Sequence, residues 1–223
     1  MEVSVYQDPQ ERDACGVGFL SRLDGNASHE VVELALSAAA AMSHRGARAA
    51  DGRTGDGAGI TLELSPAFFA RELASANLRA PERLGVVTAF LPADPFAAAH
   101  ARGAIEARVR ATGLTPLRWR EVPRDARVLG AHAIAAAPGV TQLLVDAGLP
   151  GERGMRAVHG AIEGAEIVSS STLLVTYKAL LSSEDLAAYY ADLRDPSYAS
   201  RYAVFHQRFS TNTAPSWRLV QPF

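Results

Sequence analysis

One thiol stands among 223 residues, near the front of the chain: Cys15, in the stretch ERDACGVGFL. It has two readings. As a thiolate it is a nucleophile that can carry an acyl group, waiting to become the first residue of a shorter chain. As a small apolar side chain beside Gly16 and Gly18 it is core filling, and composition alone favours that reading.

A glycine-rich loop, DGRTGDGAGI at residues 51–60, invites a nucleotide. A phosphate-cradling loop needs Lys and then Ser or Thr after its last glycine, and here Ile60 follows Gly59. A dinucleotide fingerprint has glycines at its first, third and sixth positions, after a strand and opening a helix. Here Gly55, Gly57 and Gly59 alternate and lead into a strand, so neither spacing fits. Two readings remain. One is a turn feeding a hairpin; the other is a place where backbone must approach a small ligand closely.

The six histidines are His29, His44, His100, His132, His159 and His206. None forms a close pair and no second cysteine joins them, which argues against structural zinc, and no metal ligands are assigned. His29 and His100 are expected on solvated helix faces, and His206 as a satisfied structural residue of a strand. Spacing alone leaves a Cys–His pair of the papain type open, with no local signature for it.

The elements that must position these groups follow from patterning. GVGFLSR reads as a strand. Ser28 is placed to cap a helix whose buried face would carry Val31, Leu34, Ala35, Ala38 and Met42. Gly46 suits the C-terminal cap of that helix. AGITLELS is a strand, Pro66 opens a helix, and LGVVTAFLP is a buried strand. Asp94 caps the next helix. LRWREVP and GVTQLLVD are strands, and GERGMRAVHGAIEGA is a helix. EIVSSSTLLVTYKALL is a strand pair with a Ser-rich turn. A short helix follows, capped by Ser182 or Ser183, and RYAVFHQRFSTN is a final strand. Strands follow one another without regular alternation with helices, which favours α+β with sheets covered by helices.

The bulk numbers exclude more than they specify. Formal net charge is −2 and the sequence pI about 6.3, with no basic footprint for nucleic acid or an anionic membrane. Lys178 is the only lysine, so arginine carries the basic charge. One cysteine forms no intrachain disulfide. The first residues lack a charged region followed by an apolar run, and the longest apolar stretch is far too short to span a bilayer. A cytoplasmic protein is expected.

Three stretches in series, CGVGFL, HRG…TGDGAGI and HQRFSTNTAPSW…QPF, resemble the start of the large subunit of glutamate synthase. That region is a class II glutamine amidotransferase domain, an N-terminal nucleophile hydrolase, and the resemblance covers essentially the whole chain. It implies a four-layer αββα sandwich over residues 15–223, here incomplete at its C-terminal end, after a leader of residues 1–14 that is removed. It makes Cys15 the nucleophile. The thiol attacks the side-chain amide of L-glutamine, a glutamyl thioester forms, ammonia leaves, and water yields glutamate. The freed α-amine, with a reference pKa of about 7.7–8.0, is the base.

The other roles are implied residue by residue. Arg208 matches the arginine that holds the α-carboxylate of bound glutamine, for which a guanidinium fork is suited. Thr211 and Asn212 continue that binding edge. Arg45 matches an arginine set beside the nucleophile. Gly46 and the loop with Asp56 line the cleft, with a purely structural turn the alternative for Asp56. The family's Asn-Gly oxyanion element and a further acidic substrate contact lie beyond Phe223. Little activity is therefore expected of this segment alone, and its final strand is expected to leave an unpaired edge.

No cofactor is assigned to this segment. FMN and an iron–sulfur cluster are implied for other domains of such an enzyme, which would pass ammonia to 2-oxoglutarate. The partners implied are those synthase domains and either a small NAD(P)H-oxidising subunit or ferredoxin. Two alternatives stay open: an amidotransferase with a phosphoribosyl, sugar or aspartyl acceptor, and a non-catalytic glutamine-binding module.

Overall fold

The computed structural model describes residues 15–210 and 214–222. In chain order the first half contains β1 (Gly16–Ser21), α1 (His29–Ala41), β2 (Ala58–Glu63), α2 (Pro66–Ala74), β3 (Leu84–Leu91) and α3 (Pro95–Ala111). The second half contains β4 (Thr115–Glu121), α4 (Ala131–Ala135), β5 (Gly139–Asp146), α5 (Gly151–Val158), β6 (Glu166–Ser171), β7 (Leu174–Ala179), α6 (Leu186–Tyr189) and β8 (Tyr202–Gln207).

The strands form two antiparallel sheets, ordered β1-β8-β2-β7 and β4-β5-β3-β6. Helices flank both, which is the mixed α+β class expected. All eight residues of β3 are buried because both its faces are covered. Val87, Ala89 and Leu91 pack with Ile105 and Val109 of α3 and Met155 of α5, whereas Val86 and Phe90 join the main core with α1, α2 and the first sheet.

Local signals start the helices. Pro66 is the first residue of α2, where its missing N–H costs nothing. The Asp94 carboxylate accepts the Ala97 N–H at 2.8 Å and opens α3. Ser28 sits at the N-cap of α1, but its side chain does not cap; its backbone forms a bridge with Ser200 instead. The buried face of α1 is Val31, Val32, Ala35, Leu36 and Ala39, with Leu34 half exposed. The helix is thus rotated from the face the spacing suggested, because it packs on β8 and β1, where the Phe205 ring fills the space a Gly18 Cβ would need. His29 is not solvated: its Nδ1 lies 2.9 Å from the Tyr198 carbonyl.

Three further expectations are corrected. The helix expected through residue 165 ends at Val158, since Gly160 and Gly164 take positive φ. The strands flanking the Ser-rich turn part into different sheets. Glu152 holds that turn by accepting from Ser171, the Thr172 N–H and the Thr172 hydroxyl. The final strand, β8, is not an edge: it pairs with β1 on one side and β2 on the other.

A buried ionic brace ties β4 to the segment after α6. Arg120 donates to both Asp192 oxygens at 2.8 and 2.9 Å, to Gln142 at 2.6 Å and to Glu72 at 3.0 Å. Tyr177 Oη donates to the same Asp192. These partners hold the Arg120 guanidinium in its charged form despite burial.

Candidate active site

The site grows from the open end of the β1–β8 ladder. Gly16 pairs with Gln207, so antiparallel register sets Cys15 opposite Arg208, one step beyond the last pair. Cys15 is exposed. The Phe209 backbone N–H points at its Sγ, 3.4 Å away, and the Phe209 carbonyl lies 3.8 Å from the same sulfur. The thiol therefore sits where backbone polar groups converge, not in the apolar core.

Gln207 locks this end of the ladder from inside. It is 1% exposed. Its Oε1 accepts the Ser183 N–H at 2.8 Å, and its Nε2 donates to the carbonyls of Gly57 and Arg208. Gly46 is needed here. A Cβ on it would stand 2.1 Å from Gln207 Nε2 and 3.0 Å from the Arg208 carbonyl. The expected cap of α1 is corrected: that helix ends at Ala41 with Met42 as its C-cap, and Gly46, with φ −111°, follows the next turn, where close approach, not conformation, requires a glycine.

The glycine loop also resolves. A Cβ on Gly55 would meet the Leu181 backbone at 2.5 Å, and one on Gly59 the Gln221 carbonyl at 2.5 Å. The loop does bring backbone close, to the protein's own chain. Asp56 stands at its centre, buried. Its Oδ2 accepts the Ser210 N–H at 2.7 Å and the Ala47 N–H at 3.2 Å. Asp56 thus joins the turn after Arg45, the glycine loop and the segment after Arg208.

Arg208 is buried, its N–H bonded to the Gly57 carbonyl at 2.8 Å and its guanidinium 3.5 Å from the Asp56 carbonyl. Arg45 lies in a 3-10 turn, Ser43–Arg45, with its Cγ 3.4 Å from where a Gly16 Cβ would be. The structure therefore gathers Cys15, Arg45, Gly46, Asp56 and Arg208 around one end of the first sheet. Thr211, Asn212 and residues 1–14, the expected leader, lie outside the described residues.

The loop is anchored from behind. The Asp51 carboxylate accepts from the Thr54 hydroxyl and N–H, the Arg53 N–H and the His132 N–H. These donors hold it well below the usual carboxylate range. The Thr54 hydroxyl in turn accepts the Ala133 N–H at 3.2 Å.

Sequence reasoning missed Gln207, Ser183 and the backbone of Phe209 and Ser210. A glutamine on the inward side of a strand, facing Ala58 and Gly16, was the available signal, because such an amide must find partners. His206 is not the satisfied strand histidine expected. Its Nδ1 is buried with no partner among the described residues, and burial, with the nearby Arg208 charge, pushes its pKa down.

Among the described residues, no group of three or more His, Cys, Asp or Glu side chains is placed to hold a metal ion, and no helix is long and apolar enough to cross a membrane.

The sequence pattern of the class II glutamine amidotransferases matches residues 15–223, beginning on Cys15 itself. The chain belongs to that family. This amidotransferase is also similar to proteins named as glutamate synthases. It is 41% identical over 96% of its length to ferredoxin-dependent glutamate synthase 2 of Synechocystis sp.. It is 37% identical over 99% to the NADPH glutamate synthase large chain of Azospirillum brasilense. The large chain from Bacillus subtilis is 33% identical over 98%. The amidotransferase covers only 14%, 16% and 15% of those relatives, respectively.

Proposed function

We propose that this domain hydrolyses L-glutamine at Cys15 as the ammonia-producing part of a glutamate synthase. The observation that carries the reading is Cys15 at the end of the β1–β8 ladder, opposite Arg208 and beneath the Phe209 N–H. Glutamine lies with its α-carboxylate on the Arg208 guanidinium and its side-chain amide over Sγ.

Residues 1–14 are removed, which frees the Cys15 α-amine. The amine takes the thiol proton as Sγ bonds to the amide carbon. The C–N bond then breaks, the proton leaves with the nitrogen as ammonia, and a glutamyl thioester remains. Water adds to the thioester, Sγ leaves, and glutamate is released. The sum is glutamine plus water giving glutamate plus ammonia. Arg45 and Asp56 hold the turns around the nucleophile, and Thr211 and Asn212 extend the substrate edge.

The ammonia passes to 2-oxoglutarate elsewhere in the synthase, with electrons from ferredoxin or an NAD(P)H-oxidising subunit. FMN and an iron–sulfur cluster belong to those other domains. A single cysteine and the lack of any metal-holding group among the described residues do not fit a cluster here.

N-terminal sequencing of the protein purified from its own host, together with ammonia release from glutamine, tests this reading. A chain beginning at Cys15 whose ammonia release is lost in Cys15→Ala supports it. Glutamine binding by a chain that retains residues before Cys15, with no ammonia released, would establish the non-catalytic binding module instead.

A further inference from the structure

The peptide that joins Arg208 to Phe209 is held from both edges. A trans peptide is planar, so its C=O and its N–H point in opposite directions. On one edge the Arg208 carbonyl accepts from Gln207 Nε2 at 3.1 Å. On the other the Phe209 N–H donates to Cys15 Sγ at 3.4 Å. Whatever grips the carbonyl therefore also sets where the N–H aims.

Gln207 is itself fixed. Its Oε1 accepts the Ser183 N–H at 2.8 Å, while its Nε2 donates to the carbonyls of Gly57 and Arg208. One end of the amide meets a donor and the other meets two acceptors, so a single orientation satisfies all three. Ser183 is tied to α1 in turn, its hydroxyl donating to the Ala39 carbonyl at 2.7 Å. Gln207 and Ser183 are both buried, where hydrogen bonds are strong and a missing partner is costly. A relay of bonds thus runs from α1 through Ser183 and Gln207 to the peptide whose N–H faces the sulfur.

We propose that Gln207 is a positioning residue for the nucleophile: its amide turns the Arg208–Phe209 peptide so that the Phe209 N–H faces Cys15 Sγ. The inference rests on Cys15 being the nucleophile of the proposed reaction. A donor aimed at sulfur favours the thiolate, which is the form that attacks an amide carbon.

The rate at which iodoacetamide alkylates Cys15 at neutral pH tests this, read by peptide mass on the folded protein from its own host. Gln207→Glu keeps the acceptor for Ser183 and replaces the donor to Arg208 with an oxygen. It is expected to slow alkylation about threefold, because thiolate content falls about tenfold while each remaining thiolate reacts about threefold faster. Gln207→Met buries no charge, drops the same donor and is expected to slow alkylation by as much. A merely structural Gln207 would lower the Tm of both variants and leave the alkylation rate of the folded protein unchanged. Alkylation that is unchanged or faster in the folded variants, while the parent releases ammonia from glutamine, overturns the inference and leaves the glutaminase reading standing. Slowed alkylation in variants of a parent that releases no ammonia keeps Gln207 as the residue that aims this N–H, and it is then the glutaminase reading that fails.

Discussion

The Asp56 carboxylate receives the Ser210 backbone N–H at 2.7 Å, across 154 positions of sequence. That bond fixes the chain one residue after Phe209, whose own N–H faces the Cys15 sulfur. Asp56→Ala strands this N–H and that of Ala47, at about 1–3 kcal/mol for each donor left unsatisfied. The variant is expected to lose stability in urea titration and to lose glutaminase turnover with it. Asp56→Asn keeps one acceptor oxygen and is expected to fall between the two.

In the proposed reading Arg208 holds the substrate's α-carboxylate, where a bidentate fork matters more than charge alone. Arg208→Lys is expected to lower kcat/KM for glutamine by about a hundredfold, mostly through KM, since the contact is shared by ground and transition states. Steady-state ammonia release checks this. A change confined to kcat would place Arg208 on the reacting centre instead.

Gly46 shows how tightly the site is built. A methyl group there would overlap the Gln207 amide, which is bonded on both its ends. Gly46→Ala is expected to cost about 1–3 kcal/mol, measured as a fall in Tm. The smaller Gln207→Ala partner should relieve the clash, so the double variant is expected to be less destabilised than the two single effects summed.

His206 is buried beside the charge of Arg208, and its folded pKa lies below its unfolded value. The unfolded chain therefore takes up a proton first as pH falls, and stability drops with acidification from about pH 6.5 downward. His206→Gln removes this component. Its stability is expected to vary less than that of the parent between about pH 7 and pH 5, as read by denaturant midpoints.

Arg120 and Asp192 form a buried pair, each about 95% shielded from solvent. Removing Asp192 alone leaves the guanidinium without its main partner, and Asp192→Ala is expected to cost about 3–5 kcal/mol in equilibrium unfolding.

What the sequence revealed divides along a physical line. Features set by neighbours along the chain were readable: the Asp94 cap, the Pro66 start and the apolar run of β3. Those set by distant packing were not. Val31, Leu34 and Ala35 make a plausible helical stripe, but α1 packs on β8 and β1 with Val31, Val32 and Ala35 buried. Residues 166–181 read as a strand pair, yet β6 and β7 found partners in different sheets. The local reading offered Gly46 as a helix cap, whereas the neighbour that requires a glycine there, Gln207, is 161 positions away. The roles proposed for Cys15 and Arg208 were legible only through ordered motifs. No pattern within CGVGFL or HQRF alone says that register will set Cys15 opposite Arg208.

The most direct test of Cys15 as nucleophile is peptide mass mapping after the protein from its own host meets a glutamine analogue bearing an electrophilic ketone in place of the amide. The account predicts one adduct, on Cys15 at the start of the chain, prevented by excess glutamine. A Cys15 that stays unmodified, while the protein still releases ammonia from glutamine, would contradict it.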